Sequence, residues 1–284
     1  MKTAVCLSGK LDAIESHRNL IEQVIEPYKA DVFIDSWIPF ENNTIKSIWT
    51  EDDYKHAGIT PHLPSINEYA IAFQPKMMVL DHFDAMPLNH QIRSVLPKSK
   101  MTAMGVESLW TKSENVMFMW YKIWKANQLR KLYEQTNRIR YVCIIRLRFD
   151  NTFKDGEFPV IDPKRKTVYI PLGGDYEGGI CDQVAIADSV TMDLYCELYN
   201  EIYRYATGKI GIHPESMLRK HLEINRLEVE RFECEFALRG NIVPSSGKKL
   251  TETSSAAIAF LEEQNRLQLL SRLHSPIAIL NPGD

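Results

Sequence analysis

The sequence lacks long hydrophobic segments, an excess of one charge and paired cysteines, and each absence excludes a class of protein. No apolar run in the 284 residues approaches the roughly 18 that cross a membrane, so we expect no membrane span. The net charge of −3 gives no basic surface for nucleic acid. Five cysteines without C-x-x-C spacing and eight scattered histidines argue against a zinc site. They predict free thiols in a reducing compartment, the cytoplasm.

The sequence also lacks both common phosphate-binding fingerprints, G-x-x-x-x-G-K-[ST] and G-x-G-x-x-G. Ser8-Gly9-Lys10 nevertheless follows the first apolar run. Gly9 permits close approach of a ligand to the backbone, and the Ser8 hydroxyl and the Lys10 ammonium can meet a phosphate. Any strand-to-helix turn can hold these residues, so their weight depends on their position in the fold.

The spacing of apolar residues predicts an α/β fold that opens as strand, helix, strand over 4–7, 20–28 and 31–37. A capping box at Thr111 and Glu114 predicts the start of a long helix. Further strands are predicted at 77–80, 141–145, 168–170, 184–186 and near 229–243. Further helices are predicted across 195–203, from 213 onward and at 254–274.

A concentration of charge marks the end of one predicted core strand, Arg146-Leu147-Arg148-Phe149-Asp150. Because side chains alternate along a strand, Arg146, Arg148 and Asp150 share one face. Buried charges are costly unless they are paired. The cluster is therefore either a set of ion pairs that closes the sheet, or a site in which arginines bind phosphate and Asp150 binds a divalent metal.

A second candidate follows the glycines at 178–179, where Asp182 and Gln183 precede a short apolar strand. The flexible turn would present both side chains to a hydroxylated substrate, and Asp182 would move with it. A hairpin turn with an ordinary aspartate explains the same pattern.

A third candidate is the helix start His213-Pro214-Glu215. Proline suits the first helical position and acids are favoured in the first turn, so the pattern alone requires no function. A carboxylate at a helix start is also well placed to face a cleft.

Taken together, these segments resemble nucleotide-sugar glycosyltransferases of the GT-A type, in particular transferases of large viruses and of bacterial surface-glycan loci. The resemblance rests on Ser8-Gly9, on the segment 31–37 and on the strand that ends Arg148-Phe149-Asp150. It implies a single GT-A-like domain, with a mostly parallel, Rossmann-like sheet flanked by helices and a smaller acceptor-side subdomain. Residues 1–150 would bind the nucleotide, and residues 151–284, with a C-terminal helix, the acceptor.

The resemblance also implies roles for individual residues. Family members usually end this strand in Asp-x-Asp, whose last aspartate holds the metal; Asp150 carries over, and Arg148 replaces the first aspartate. Glu215-Ser216 matches a late acidic motif, with Pro214 in place of its aspartate. Asp150 would thus hold Mn²⁺ or Mg²⁺, with the remaining roles as follows: diphosphate binding by Ser8, Gly9, Lys10, Arg146 and Arg148; catalysis by Glu215 and Asp182; sugar contacts by Gln183 and His213.

The expected reaction is sugar transfer from a UDP-type donor to a saccharide hydroxyl. Two alternatives stay open. One is another nucleotide-dependent transferase, such as a sulfotransferase with Ser8-Gly9-Lys10 as its phosphate loop. The other is a non-enzymatic carbohydrate-binding protein with Trp37, Trp49 and Trp110 as stacking platforms.

Overall fold

A computed structural model gives the structure of the chain and describes residues 2–10, 15–38, 66–82, 113–154, 156, 158–175, 178–207 and 213–238. The strands of this part are β1 (Thr3–Lys10), β2 (Asp31–Ile38), β3 (Met77–His82), β4 (Cys143–Arg148), β5 (Asn151–Phe153), β6 (Thr167–Pro171), β7 (Ala185–Ala187), β8 (Glu228–Phe232) and β9 (Phe236–Leu238). The helices are α1 (Glu15–Leu20), α2 (Glu26–Tyr28), α3 (Ile66–Phe73), α4 (Ser113–Asn137), α5 (Ser189–Cys196), α6 (Leu198–Thr207) and α7 (Pro214–Ile224). A π-helical turn, Ile21–Ile25, joins α1 to α2.

Seven strands form one mixed sheet in the order β3-β2-β1-β4-β7-β6-β8. The first four are parallel neighbours, β7 is antiparallel to β4 and to β6, and β6 is parallel to β8. Strands from both halves of the chain therefore share a single sheet. The prediction of an α/β fold with a mostly parallel sheet is confirmed. The remaining strands, β5 and β9, pair in a separate antiparallel sheet.

Helices cover both faces of the sheet, because alternate strand residues are apolar on each side. One face carries Ala4, Cys6, Phe33 and Ile144 and packs against α4, α5, α6 and α7. The other carries Val5, Ile34, Ile145 and Leu147 and packs against α1, α2 and α3. A strand with both faces covered needs apolar residues throughout, as β1 and β4 have. None of the described helices is long and apolar enough to cross a membrane.

The structure differs from the sequence-based expectation at several boundaries. The strand expected at 141–145 begins at Cys143 and runs on through Arg148, because both of its arginines find partners. The expected tyrosine-rich helix is two helices, because α5 ends with Glu197 as its C-cap residue and α6 begins at Leu198. Thr111 of the expected capping box and the expected helix at 254–274 lie outside the described residues.

Candidate functional site

The carboxyl ends of β1 and β4 lie side by side, with Ser8 opposite Arg148 in the parallel register. The chain runs from β1 through β2 to β3 on one side and returns to β4 on the other. Loops that leave neighbouring strands in opposite directions open a crevice, which is where open α/β sheets bind their ligands. Ser8-Gly9-Lys10, at the end of β1, therefore lie at the same edge of the sheet as Asp150.

Gly9 lies within β1, opposite Ser36 of β2, and its φ of +117° lies in a region that side chains disfavour. The expected turn at Ser8-Gly9 is wrong, because the strand runs on through Lys10. The Ser36 hydroxyl donates a hydrogen bond to the Gly9 carbonyl and joins this end of β1 to β2. Ser8 is only 1% exposed, so its hydroxyl is poorly placed for a ligand. The phosphate interpretation of residues 8–10 therefore depends on the Gly9 backbone and on Lys10, whose side chain lies outside the described part.

Arg146 is buried beneath this edge, with 1% of its surface exposed. Its Nη1 donates to the backbone carbonyl of Asp182, while Nε and Nη2 have no hydrogen-bond partner. The expectation that Arg146 binds phosphate is therefore not supported, because it lies two residues deeper in the strand than Arg148. Arg146 instead holds the segment that carries Asp182.

Arg148 and Asp150 form a bidentate ion pair at the carboxyl edge of the sheet. Arg148 Nε donates to Asp150 Oδ1 at 2.8 Å, and Nη2 donates to Oδ2 at 2.6 Å. About a quarter of each side chain is exposed. Burial favours the neutral acid, but the guanidinium outweighs it and holds the pKa of Asp150 below its ordinary value. Burial likewise opposes the Arg148 charge, but the Asp150 carboxylate prevails and raises the pKa of Arg148.

Asp182 is more buried than expected for a residue after two glycines, with 3% of its surface exposed. Its Oδ2 has no hydrogen-bond partner. Burial raises the pKa of Asp182; the Arg146 charge opposes this increase, and nearby Glu215 adds to it. The expectation that Asp182 moves with a flexible loop is not supported, because its backbone is anchored from below by Arg146. Gln183, the next residue, is half-buried.

Glu215 lies in the first turn of α7, after His213 as N-cap residue and Pro214. The predicted helix start is confirmed. Glu215 Oε2 lies 2.9 Å from His213 Nδ1, and both side chains are mostly buried. The helix start also contacts the glycine turn, because Ile180 N donates to the Glu215 carbonyl at 3.1 Å.

Five ionisable side chains form one electrostatic cluster. Arg148 is stabilised in its charged form by three carboxyl groups, those of Asp150, Asp182 and Glu215. Asp182 in turn interacts with Arg146, Glu215 and Arg148. With all three carboxyl groups ionised, two guanidiniums leave a formal charge of −1. The structure therefore brings together residues from three separate stretches of sequence.

The fit of a divalent metal depends on Asp150. The described residues contain no group of three or more histidine, cysteine or acidic side chains suited to hold an ion. A metal that bridges phosphates needs fewer protein ligands, because Mg²⁺ keeps several waters and binds one or two carboxylates together with substrate phosphates. Asp150 fits that requirement. Both of its oxygens accept a hydrogen bond from Arg148 and each keeps a second lone pair, so an ion would bind Asp150 either beside Arg148 or in its place.

The sequence analysis missed a second charged cluster on the same face of the sheet. Lys122 of α4 is fully buried, and its Nζ lies 2.7 Å from Asp35 Oδ1 and 2.6 Å from Asp81 Oδ2. The same ammonium lies 4.0 Å from the centre of the Trp37 ring. The only available signal was Asp35 at an inward position of β2, since its partners come from distant segments.

No protein-family model matches this chain, and no curated protein matches it at a significant level. The functional argument therefore depends on the geometry of the site.

Proposed function

We propose that the chain transfers a sugar from a nucleotide-sugar donor of the UDP type to a hydroxyl group of a saccharide acceptor, on a GT-A-like fold. One observation carries the proposal: Arg148, Asp150, Asp182 and Glu215 interact at the carboxyl edge of the sheet, beside the switch point between β1 and β4. Residues 1–150 would serve the donor and residues 151–284 the acceptor. Five free thiols suit a reducing compartment and support a cytoplasmic location.

The charges of this cluster match those that develop during glycosyl transfer. The sugar ring becomes cation-like in the transition state while the departing diphosphate gains negative charge. Preorganised charges aimed at these positions lower the barrier. Carboxyl groups of Glu215 and Asp182 suit the ring, and the Arg148 guanidinium suits the diphosphate. A site that combines both signs within a few residues supports this reaction class.

Asp150 would hold Mn²⁺ or Mg²⁺, which when bound supplies positive charge that neutralises the diphosphate. Arg148, where the ion replaces it at Asp150, would be free to donate two parallel hydrogen bonds to phosphate oxygens.

The acceptor hydroxyl must lose its proton as its oxygen bonds to the sugar. We assign this task to Glu215, because the N-terminus of α7 stabilises negative charge there and His213 orients the carboxylate. Asp182 retains a proton more readily, since burial raises its pKa. A protonated Asp182 donates a hydrogen bond, which suits contact with a sugar hydroxyl alongside Gln183.

The two alternatives fit the site less well. Sulfuryl transfer develops no cation-like ring, so it gives the carboxyl groups of Glu215 and Asp182 no matching positive charge. A stacking platform needs an accessible ring, but Trp37 is 5% exposed and has the Lys122 ammonium over its ring. Trp49 and Trp110 lie outside the described residues.

A thermal-shift screen tests the proposal, because a ligand that binds the folded state raises the apparent melting temperature. UDP, GDP and their common sugar conjugates are compared with and without Mn²⁺, with wild-type protein and Asp150→Asn. We expect a UDP compound to stabilise the wild type in the presence of Mn²⁺ and to have a weaker effect on the variant. Absence of any shift with every nucleotide would contradict the proposal.

A further inference from the structure

The segment that carries Asp182 is held not only by Arg146 but also by an ion pair between Asp175 and Arg231. Asp175 accepts two hydrogen bonds from Arg231 of β8, from Nη1 to Oδ2 at 2.9 Å and from Nη2 to Oδ1 at 3.0 Å. Arg231 Nη2 also donates to the Pro171 carbonyl at 2.6 Å. The pair thus attaches Asp175 to the ends of two neighbouring strands, β6 and β8.

Asp175 is also hydrogen-bonded to Cys181, the residue before Asp182. Its Oδ1 accepts a hydrogen bond from the backbone N–H of Cys181 at 2.9 Å. Burial alone would favour a neutral Asp175, but Arg231 and the Cys181 N–H hold its pKa below the ordinary value. The charged carboxylate is therefore a stable acceptor for the Cys181 amide at neutral pH.

Packing restricts the same segment. A β-carbon on Gly174 would stand 2.9 Å from Cys181 Sγ, so the turn after β6 lies directly against the residue that Asp175 holds. Consecutive residues 180, 181 and 182 are each bonded to a different element: α7, Asp175 and β4. These hydrogen bonds fix the position of the segment within the site, and Asp175, which is partly exposed, supplies one of them.

The pair contributes little to the stability of the whole fold. Asp175 is 40% exposed and Arg231 24%, and partly exposed ion pairs add little net stability because water and salt screen them. The two parallel hydrogen bonds between Arg231 and Asp175 fix the orientation of the carboxylate, which a simple attraction between two charges does not. Its effect should therefore be local, at residues 180–182.

We propose that Asp175 and Arg231 are positioning residues that hold Asp182 in place for the sugar-transfer site. This inference depends on the proposed function for its catalytic part, while the structural part stands alone. Loss of either residue should weaken the hold on the Cys181 backbone and leave Asp182 attached through its own carbonyl and through Ile180. A carboxyl group displaced by about 1 Å from its working position can cost roughly 100-fold in rate.

Hydrogen exchange measured by mass spectrometry on the full chain tests the structural part. Arg231→Met removes the guanidinium and keeps the apolar stem, and Asp175→Ala removes the acceptor. Glu230→Gln is the matched control, since Glu230 is the preceding residue of β8 and pairs with Lys164, at 3.0 Å. We expect faster exchange at residues 178–184 in the two test variants, little change in melting temperature, and wild-type exchange in the control. Unchanged exchange in both test variants would overturn the proposal.

A charge reversal separates positioning from simple pairing. Asp175→Arg combined with Arg231→Asp restores opposite charges but leaves no carboxylate at position 175 for the Cys181 N–H. We expect exchange at 178–184 to remain fast in the double variant. Full recovery of protection would show that the ion pair alone is sufficient and would overturn the proposal.

Turnover tests the catalytic part, with hydrolysis of UDP-glucose, UDP-galactose and UDP-N-acetylglucosamine in Mn²⁺ as the probe reaction. In Arg231→Met we expect kcat/KM to fall by roughly 10- to 100-fold, chiefly through a higher KM as in Asp182→Asn, because the sugar contact of Asp182 is misplaced. Wild-type kcat/KM combined with fast exchange would overturn the positioning role. A wild-type protein inactive on every nucleotide sugar would instead overturn the proposed function, and the exchange result would still decide whether the pair holds the segment.

Discussion

Gly179 and Glu215 touch through their backbones: a β-carbon built on Gly179 would stand 2.3 Å from the carbonyl carbon of Glu215. Thirty-six residues separate them in the sequence, yet this contact places the Asp182 segment on the first turn of α7. No residue with a side chain fits between the two segments. The distance between the carboxyl groups of Asp182 and Glu215 therefore depends on glycine at position 179.

Gly179→Ala should push the two segments apart. We expect the free energy of unfolding to fall by about 1–3 kcal/mol, as for other overpacked sites. Gly178→Ala is the control, because its β-carbon meets nothing within 4 Å and only its φ of +71° is unfavourable, at about 1 kcal/mol. Urea denaturation measures both. Faster exchange of the Ile180 amide is expected in Gly179→Ala alone, and equal exchange in the two variants would contradict the packing argument.

Asp150→Asn should keep the fold and abolish most of the activity. The Arg148–Asp150 pair is partly exposed and contributes at most about 1 kcal/mol, so the melting temperature should change little. Loss of the carboxylate should remove the dependence of turnover on Mn²⁺. Donor turnover across a Mn²⁺ titration provides the measurement, and a wild-type rate would leave Asp150 with an ion-pairing role only.

Glu215→Gln and Asp182→Asn should separate the two carboxyl roles. We expect Glu215→Gln to lower kcat by roughly 10²–10⁴-fold, the range for a lost general base. Asp182→Asn resembles the protonated acid that burial favours and should chiefly raise KM. Steady-state kinetics at neutral pH decides. The reverse pattern, an inactive Asp182→Asn and an active Glu215→Gln, would exchange the roles.

Lys122→Met should destabilise the protein strongly, because it leaves the carboxyl group of Asp35 buried without its counter-charge. Removal of one partner from a buried ion pair costs about 3–5 kcal/mol. Lys125→Met, three residues along the same helix, should cost less than about 0.5 kcal/mol. Addition of Asp35→Asn to Lys122→Met should recover part of the loss. Denaturation of the wild type, the three single variants and the double variant measures this, and additive losses for Lys122→Met and Asp35→Asn would show that the two residues act independently.

Asp35 should also make stability depend on pH. Burial raises its pKa to about 7, even though Lys122 opposes the shift. The folded chain then binds this proton more tightly than the unfolded chain, so the free energy of unfolding falls as pH rises from about 4 to about 7 and levels off above. The slope from one group is at most about 1.4 kcal/mol per pH unit. We expect this contribution to vanish in Asp35→Asn. Parallel pH curves for the wild type and the variant would contradict it.

The sequence predicted the edge of the sheet that carries the site, because strand alternation and the order of elements are local properties. Arg148, Asp150 and Glu215 were identified from such patterns. The burial of Arg146 and the anchoring of Asp182 were not predictable, since they depend on contacts between residues 36 positions apart. Asp35, Asp81 and Lys122 meet only after three elements pack, and no spacing in the chain reveals that.

The antiparallel direction of β7, the strand next to β4, changes which segments can reach the carboxyl edge of the sheet. In a fully parallel sheet only residues that follow a strand lie at the carboxyl edge. Because β7 runs the other way, residues 172–184 leave β6 at this edge and also enter β7 there. The segment is thus a hairpin connection whose both ends are fixed by strands, and a change in its length costs little in folding free energy. Under the proposed function, insertions between Asp175 and Gly178 would therefore change acceptor choice while the edge formed by β1 and β4 stays constant.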